Sequence, residues 1–288
     1  MSIPPSVFCA FVASETSNAS NPVPVSVSVL SVKPALALSA LFIILIEKAA
    51  VIVIEIVSFA FAPTWNATLP SPSRRPLSAP AKITNLLVAL VSQGASGNDG
   101  KEQFEQIRAI VEPIIKNLGA KYDKFDTEKI LAKFNETIAI LHDRLNGMVL
   151  LGVCPEEVMA FVESRGESFS ILIMAELLQA LGKKVRVIDP VKVLVTEGGV
   201  MESSVNIEAS KQKYAALEDD VEAITLMSGF CGGDANGNLV LLGRNGSDYS
   251  AACLAAISNA SCCEIWTDVD GVYSCDPRAV EGAVLLKK

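Results

Sequence analysis

Residues 241–252 read LLGRNGSDYSAA, and this stretch decides the fold. An apolar strand runs into the turn GRNG, and the alanine-rich residues that follow predict a helix with Ser247 as its N-cap. Free amides at a helix start bind anions, and the planar guanidinium of Arg244 matches a carboxylate or a phosphate. Asp248 is placed to position a cationic group or Mg²⁺ in the same pocket. The alternative is an ordinary strand, turn and helix with a solvated arginine.

A second motif, IWTDVDGVYSCDPR at residues 265–278, follows at the end of the next strand. Ligands of open α/β sheets bind beyond the carboxyl ends of the strands. Four side chains of the motif carry polar groups that a nucleotide needs: Thr267, Asp268, Tyr273 and Arg278. A β-turn with a surface Asp-Pro-Arg is the alternative. The glycine-rich residues 229–237 (GFCGGDANG) are a weaker indication of a phosphate loop, because neither GxxxxGK[ST] nor GxGxxG occurs.

From Ser78 onward, the apolar residues alternate between helical and strand spacing. This pattern predicts helices over residues 83–91, 101–118, 126–145 and 247–258, and a helical run that Pro155 opens and Gly182 closes. Strands are predicted over residues 185–188, 223–227, 239–242 and 264–267, with a short strand or connection over 148–152. The alternation favours an α/β fold, a three-layer αβα sandwich with a mainly parallel sheet.

The composition excludes several classes of protein. With 288 residues, of which 50% are hydrophobic, the chain is neither collagen-like nor disordered as a whole. A net charge of −8 gives no general attraction to nucleic acid. The single histidine, His142, excludes a zinc site with several histidines, and we expect it to be a partly exposed helix residue. Seven cysteines without CxxC spacing indicate reduced thiols and a cytoplasmic protein, with Cys262 and Cys263 serving in packing.

The first 77 residues differ sharply from the rest. They contain neither glycine nor aspartate, while all 18 glycines of the chain follow them. Within them, residues 35–62 are long and apolar enough for a membrane span, but Glu47, Lys48 and Glu55 make insertion costly. We therefore expect a β-prone segment rather than a membrane helix, followed by a Pro/Ser-rich linker at residues 63–76. The domain boundary is predicted between residues 77 and 78.

Five strings occur in the same order as in a known family: SAPAKITN (78–85), SRGE (164–167), VIDP (187–190), LLGRNGSDYSAA (241–252) and EIWTDVDGVYSCDPR (264–278). Together they resemble the motifs of the aspartokinases of the amino-acid kinase fold. Their exact residues are most similar to those of the bifunctional aspartokinase/homoserine dehydrogenase type. The resemblance covers residues 78–288. It implies phosphorylation of the side-chain carboxylate of L-aspartate by MgATP, the first step toward lysine, threonine and methionine, in a parent enzyme that is a homo-oligomer.

The resemblance also implies site residues. The aspartate site comprises Thr84, Glu167, Arg244, Asn245, Gly246 and Ser247. In it, Arg244 holds the α-carboxylate and Glu167 the α-ammonium, while the Thr84 hydroxyl orients the attacking group. The ATP contacts are Thr267, Asp268, Tyr273 and Arg278, and Asp248 is the catalytic residue that organises phosphoryl transfer. The partners are thus L-aspartate and ATP, with Mg²⁺ carried by the nucleotide and no metal site in the protein.

Residues 1–77 depart from the family. Aspartokinases open with a strand and the string KFGGTS, whose lysine and glycines hold the phosphates, and this string does not occur in the chain. A frameshifted or misassembled start explains the departure, and we expect a kinase domain incomplete at both ends. Two other functions stay open: a catalytically dead fragment that still binds aspartate or nucleotide, and a membrane-attached protein anchored through residues 35–62.

Overall fold

The structure is a computed structural model that describes residues 26–31, 41–47, 51–56, 73–217, 222–260, 262–267, 274–275 and 280–286. The elements in chain order are β1 (Ser26–Ser31), β2 (Leu41–Glu47), β3 (Val51–Ile56), β4 (Ser73–Pro80), α1 (Ile83–Ala95), α2 (Lys101–Lys121), α3 (Thr127–Leu151), α4 (Glu156–Glu163), α5 (Arg165–Ala180), β5 (Val185–Ile188), α6 (Pro190–Val193), β6 (Thr196–Gly198), β7 (Ser203–Val205), α7 (Ile207–Ala215), β8 (Ile224–Ser228), β9 (Cys231–Gly233), β10 (Leu239–Leu241), α8 (Gly246–Ile257) and β11 (Cys262–Thr267).

One seven-stranded sheet forms the centre of the fold, with the order β1-β11-β3-β2-β4-β8-β5. β2 is antiparallel to both of its neighbours, β3 and β4. The other four pairings are parallel. The prediction of an α/β fold with a mainly parallel sheet is therefore confirmed, and parallel strands place their carboxyl ends along one edge where ligands bind.

Helices cover both faces of this sheet. Successive side chains of a strand point to opposite faces. In β8, Leu226 belongs to the core that α1, α2, α3 and α5 build on one face, and Met227 belongs to a second core with α6 and α8. The predicted three layers are thus present. Cys263 lies in the second core with 2% of its surface exposed, as the packing role predicted for it requires.

β4 runs across the predicted domain boundary at residues 77 and 78. Its Arg75 and Leu77 are fully buried, and the Arg74 Nε donates a hydrogen bond to the Tyr214 hydroxyl of α7. The strand pairs in parallel with β8, from Arg74 opposite Thr225 to Leu77 opposite Ser228. The sheet therefore continues on the amino-terminal side of the boundary.

The prediction of a β-prone segment in the first 77 residues agrees with the structure, which has strands over residues 26–31, 41–47 and 51–56. The described parts of the apolar stretch 35–62 are antiparallel strands rather than a helix. Among the helices of the described residues, none combines the length and the apolar character that crossing a membrane requires. The linker predicted at 63–76 lies partly outside the described residues, and its last four residues belong to β4.

Two local predictions are corrected. Residues 148–151 are the last turn of α3 rather than a strand, because Met148 continues the buried stripe of Leu141 and Leu145, and Gly152 ends the helix at φ 66°. The run after Pro155 is two helices, α4 and α5, which meet at Ser164. The strand predicted over residues 239–242 is present as β10, which pairs with β9 in a separate hairpin outside the seven-stranded sheet.

The side chain of His142 is exposed on α3, as predicted, and its ring stacks on Phe104 of α2 with 3.7 Å between the centroids. Asp126 caps α3, because its side chain accepts a hydrogen bond from the Lys129 amide.

The first prediction concerns Gly166, where α5 lies against β4. A Cβ at Gly166 would lie 2.7 Å from the Ala79 Cβ, so Gly166→Ala should lower the free energy of unfolding by about 1–3 kcal/mol. Gly147→Ala in α3 is the matched control, because a Cβ there meets no heavy atom within 4 Å and alanine raises helix stability by about 0.5–1 kcal/mol. Urea unfolding of both variants measures the difference. Equal effects would contradict a close contact at Gly166.

Candidate active site

The start of α8 forms one wall of the candidate site. The turn before it uses left-handed backbone at Gly243 (φ 74°) and Asn245 (φ 57°), and the Tyr249 amide donates to the Asn245 carbonyl at 3.0 Å. Asn245 is therefore the N-cap position, with no capping hydrogen bond from its side chain. The prediction that Ser247 caps this helix is wrong. Ser247 lies in the first turn, where its hydroxyl is available to another partner.

That partner is Glu167, near the start of α5. The Ser247 hydroxyl donates to Glu167 Oε1 at 3.4 Å, and the Ala79 amide of β4 also donates to this carboxylate. Glu167 is only 2% exposed, and its Oε2 has no hydrogen-bond partner among the described residues. Burial raises the pKa of Glu167 to about 8. A buried carboxylate with one oxygen unused is suited to a cationic ligand group that replaces its proton.

Two glycines, Gly229 and Gly246, allow the start of α8 to pack closely against the residues that follow β8. A Cβ at Gly229 would lie 3.0 Å from the Ser247 Cα, and one at Gly246 would lie 2.7 Å from the ring of Phe230. Phe230 itself has φ 69°, which a residue with a side chain rarely adopts. Sequence reasoning missed Phe230 as a site residue, and its place between two glycines in GFCGG was the available signal.

Three other predicted site residues lie in the first turns of α1 and α8 or on the turn before α8. Arg244 is exposed on the turn before α8. Asp248 follows Ser247 in the first turn, and burial raises the pKa of its carboxyl to about 6. Thr84 lies in the first turn of α1, directly after Ile83, which packs beside Gly166. In the described part of the chain, no hydrogen bond joins Thr84 to Glu167 or Ser247.

The glycine-rich residues 229–237 are used in packing rather than as an open phosphate loop. Gly232 and Gly233 belong to β9, and Cβ atoms there would lie 2.9 Å from the Leu194 carbonyl oxygen and 2.1 Å from the Val191 carbonyl oxygen. At the tip, Asp234 Oδ1 accepts hydrogen bonds from the amides of Asn236 and Asn238. Of this stretch, Gly229 and Phe230 contact the candidate site.

The predicted nucleotide residues are described only in part. Thr267 is the last residue of β11, at the carboxyl end of a strand next to the edge strand β1, and such ligands bind beyond strand ends. Asp268, Tyr273 and Arg278 lie outside the described residues. In the described parts of the chain, no three His, Cys, Asp or Glu side chains are grouped so as to hold a metal ion.

The sequence as a whole was compared with known proteins. A model described as "Amino acid kinase family" matches residues 81–288. The chain belongs to the amino acid kinase family.

Curated relatives in this family are aspartokinases. The bifunctional aspartokinase/homoserine dehydrogenase of Haemophilus influenzae is 45% identical over 210 residues, which are 73% of this chain and 26% of that protein. Lysine-sensitive aspartokinase 3 of Escherichia coli is 35% identical over 209 residues, 72% of this chain and 44% of that protein. The chain is thus homologous to the kinase region of the bifunctional enzymes and spans about a quarter of their length.

Solved structures agree with this assignment. Escherichia coli aspartokinase III in complex with aspartate and ADP, described as the R-state, superposes with a TM-score of 0.63 at 30% identity. The match covers 73% of this chain and 45% of that one. The complex of the same enzyme with lysine and aspartate, the T-state, gives a TM-score of 0.59. The amino acid kinase fold expected from the motifs is therefore confirmed.

The second prediction is that Glu167 makes this amino acid kinase domain less stable as pH rises. Its pKa is about 8 in the folded chain against an ordinary value of 4.5, so between these values only the folded state retains the proton. The free energy of unfolding should therefore fall as pH rises from about 4.5 to about 8. Asp248 adds a decline between 3.8 and about 6.

Urea unfolding at several pH values tests the contribution of Glu167. Glu167→Gln cannot ionise and should flatten the decline between pH 6 and 8. Glu105→Gln, on the exposed side of α2, is the matched control and should leave the decline unchanged. A Glu167→Gln profile parallel to that of the unsubstituted chain would contradict the prediction.

Proposed function

We propose that residues 78–288 are the core of an aspartate kinase, which transfers the γ-phosphoryl group of MgATP to the side-chain carboxylate of L-aspartate and forms 4-phospho-L-aspartate. The observation that carries this proposal is the buried Glu167, with a free Oε2, beside Ser247 at the start of α8. The aspartate and ADP in the similar Escherichia coli enzyme support it.

Each group of L-aspartate has a proposed partner. The α-ammonium binds Glu167, whose unused Oε2 needs a donor. The α-carboxylate binds Arg244 as a charge-assisted pair, and the amides of Asn245, Gly246 and Ser247 lie at the same turn. The Thr84 hydroxyl orients the carboxylate that attacks. Glu167 takes up the ammonium by releasing its own proton, because its pKa of about 8 keeps it mostly neutral at pH 7.

The nucleotide has its own proposed contacts, Thr267, Asp268, Tyr273 and Arg278. Asp248 lies one residue beyond Ser247 in the first turn of α8, and its proposed role is to orient the Mg²⁺ that enters with ATP. The protein supplies little covalent chemistry, since the substrate carboxylate is already a nucleophile. Catalysis in this proposal consists of positioning and charge neutralisation.

Turnover by this chain is a separate question from binding. The string KFGGTS, which in aspartokinases supplies a lysine and an amide cradle to the phosphates, does not occur in the 288 residues. Losing one such preorganised donor costs about 100- to 1,000-fold in rate, and here several are missing together. The second candidate function is therefore a fragment that binds aspartate or nucleotide without phosphorylating.

The third prediction tests the aspartate site by calorimetric titration of the chain. Arg244→Ala should weaken L-aspartate binding by about 2–4 kcal/mol, because a desolvated carboxylate loses its charged partner. Binding of a non-hydrolysable ATP analogue should change much less. Lys211→Ala, an exposed lysine on α7, removes the same charge elsewhere and is the control. Equal losses for both ligands would remove Arg244 from the aspartate site.

The fourth prediction concerns activity. With hydroxylamine trapping the acyl phosphate, the 288-residue chain should give a signal near background. The Haemophilus influenzae relative serves as the positive control under the same conditions. Turnover within about tenfold of that enzyme would contradict the prediction and would mean that residues 1–77 supply a working phosphate site.

A further inference from the structure

A cavity of about 340 Å³ opens at the carboxyl ends of β5 and β8, and the proposed aspartate site does not account for it. Its wall includes Ser164, Ser168 and Ile171, which share one side of α5 because they are spaced by three or four residues. Glu167 is not part of this wall. A pocket of this volume holds a small ligand.

The wall carries one positive group, and that group is held in place. Arg165 Nε donates to the Phe161 carbonyl at 3.2 Å, and Nη2 donates to Ser164 Oγ at 3.0 Å. The guanidinium carbon lies 4.4 Å from the centre of the Phe161 ring. Neither hydrogen bond uses Nη1. Burial lowers the pKa of Arg165, so this cation is poorly solvated and gains from an anionic partner.

The wall also carries one negative group. Asp189 lies at the carboxyl end of β5, where its Oδ1 accepts from the Val191 amide at 3.0 Å. Asp189 Oδ2 lies 4.0 Å from the Nζ of the exposed Lys192, and among the described residues Asp189 forms no direct ion pair with Arg165, although the two charges interact. A ligand that carries both charges has an oppositely charged partner for each on this wall. Cys231 also lines the cavity. Burial raises the pKa of its thiol to about 12, so this side chain is uncharged at pH 7.

The rest of the wall is mixed, because the hydroxyls of Ser164, Ser168 and Ser228 line it together with apolar side chains. Ile171, Ile188, Pro190 and Leu239 supply the apolar part. A small aliphatic side chain has packing partners on that part of the wall.

We propose that this cavity is a second ligand site that binds a small aliphatic α-amino acid, with the carboxylate on Arg165, the ammonium on Asp189 and the side chain against Ile171, Pro190 and Leu239. The site lies beside the proposed aspartate site and is independent of that assignment. A valine-sized amino acid suits the volume and the apolar part of the wall.

Calorimetric titration of the 288-residue chain with three matched compounds tests the proposal. L-valine should bind, while isovalerate lacks the ammonium and isobutylamine lacks the carboxylate, so each should bind at least about tenfold more weakly. No heat from L-valine up to its solubility, or equal binding of all three compounds, would overturn the proposal.

Substitutions in the wall test whether L-valine binds in this cavity. Arg165→Gln should weaken L-valine binding at least about tenfold, whereas Arg144→Gln should not, because Arg144 contacts the same Phe161 ring at 5.1 Å without lining the cavity. Ser168→Leu fills the cavity without changing any charge and should abolish binding, which keeps the test valid if Arg165→Gln fails to fold. Unchanged binding in Ser168→Leu, or competition between L-valine and L-aspartate, would overturn the assignment to this cavity.

Discussion

The close approach of two helices to the sheet is the constraint on which the site depends. α5 begins against Ala79 of β4, where Gly166 leaves no room for a Cβ, and α8 begins against Gly229, where a Cβ would lie 3.0 Å from the Ser247 Cα. Because the two glycines have no side chains, Glu167, which follows Gly166, and Ser247, which contacts Gly229, come within hydrogen-bond distance. A side chain at either glycine would separate them and would dismantle the arrangement around Glu167.

This arrangement is costly for the folded chain. Glu167 is buried with one oxygen unpartnered among the described residues, and Phe230 and Asn245 have left-handed backbone without being glycine. A core of side chains on both faces of the sheet offsets these costs, with Leu226 and Met227 of β8 each fully buried in one of the two layers. A polar site under strain inside a well-packed sandwich is the pattern expected where binding, rather than stability, sets the local structure.

The sequence predicted the fold from Ser78 onward because helix and strand periods alternate there, and it predicted the turn before α8 because GRNG forms only a few kinds of turn. It could not predict that Met148 extends α3, since an apolar run of five residues fits either a strand or a last helical turn. The pairing of Glu167 with Ser247 joins residues 80 positions apart and depends on how the helices pack. The family motifs pointed to both residues but not to their hydrogen bond.

The first turn of α5 has three different roles, which are carried by Arg165, Gly166 and Glu167. Successive helical residues are rotated by about 100°, so these neighbours must face different surroundings. Arg165 lines the cavity beside β5, Gly166 lies against Ala79, and Glu167 reaches Ser247. Packing at Gly166 fixes the rotation and depth of α5, and the same contact therefore sets both charged groups at once. A change that tilts the start of α5 must disturb the cavity and the Glu167 pair together, although the two ligands proposed for them are different.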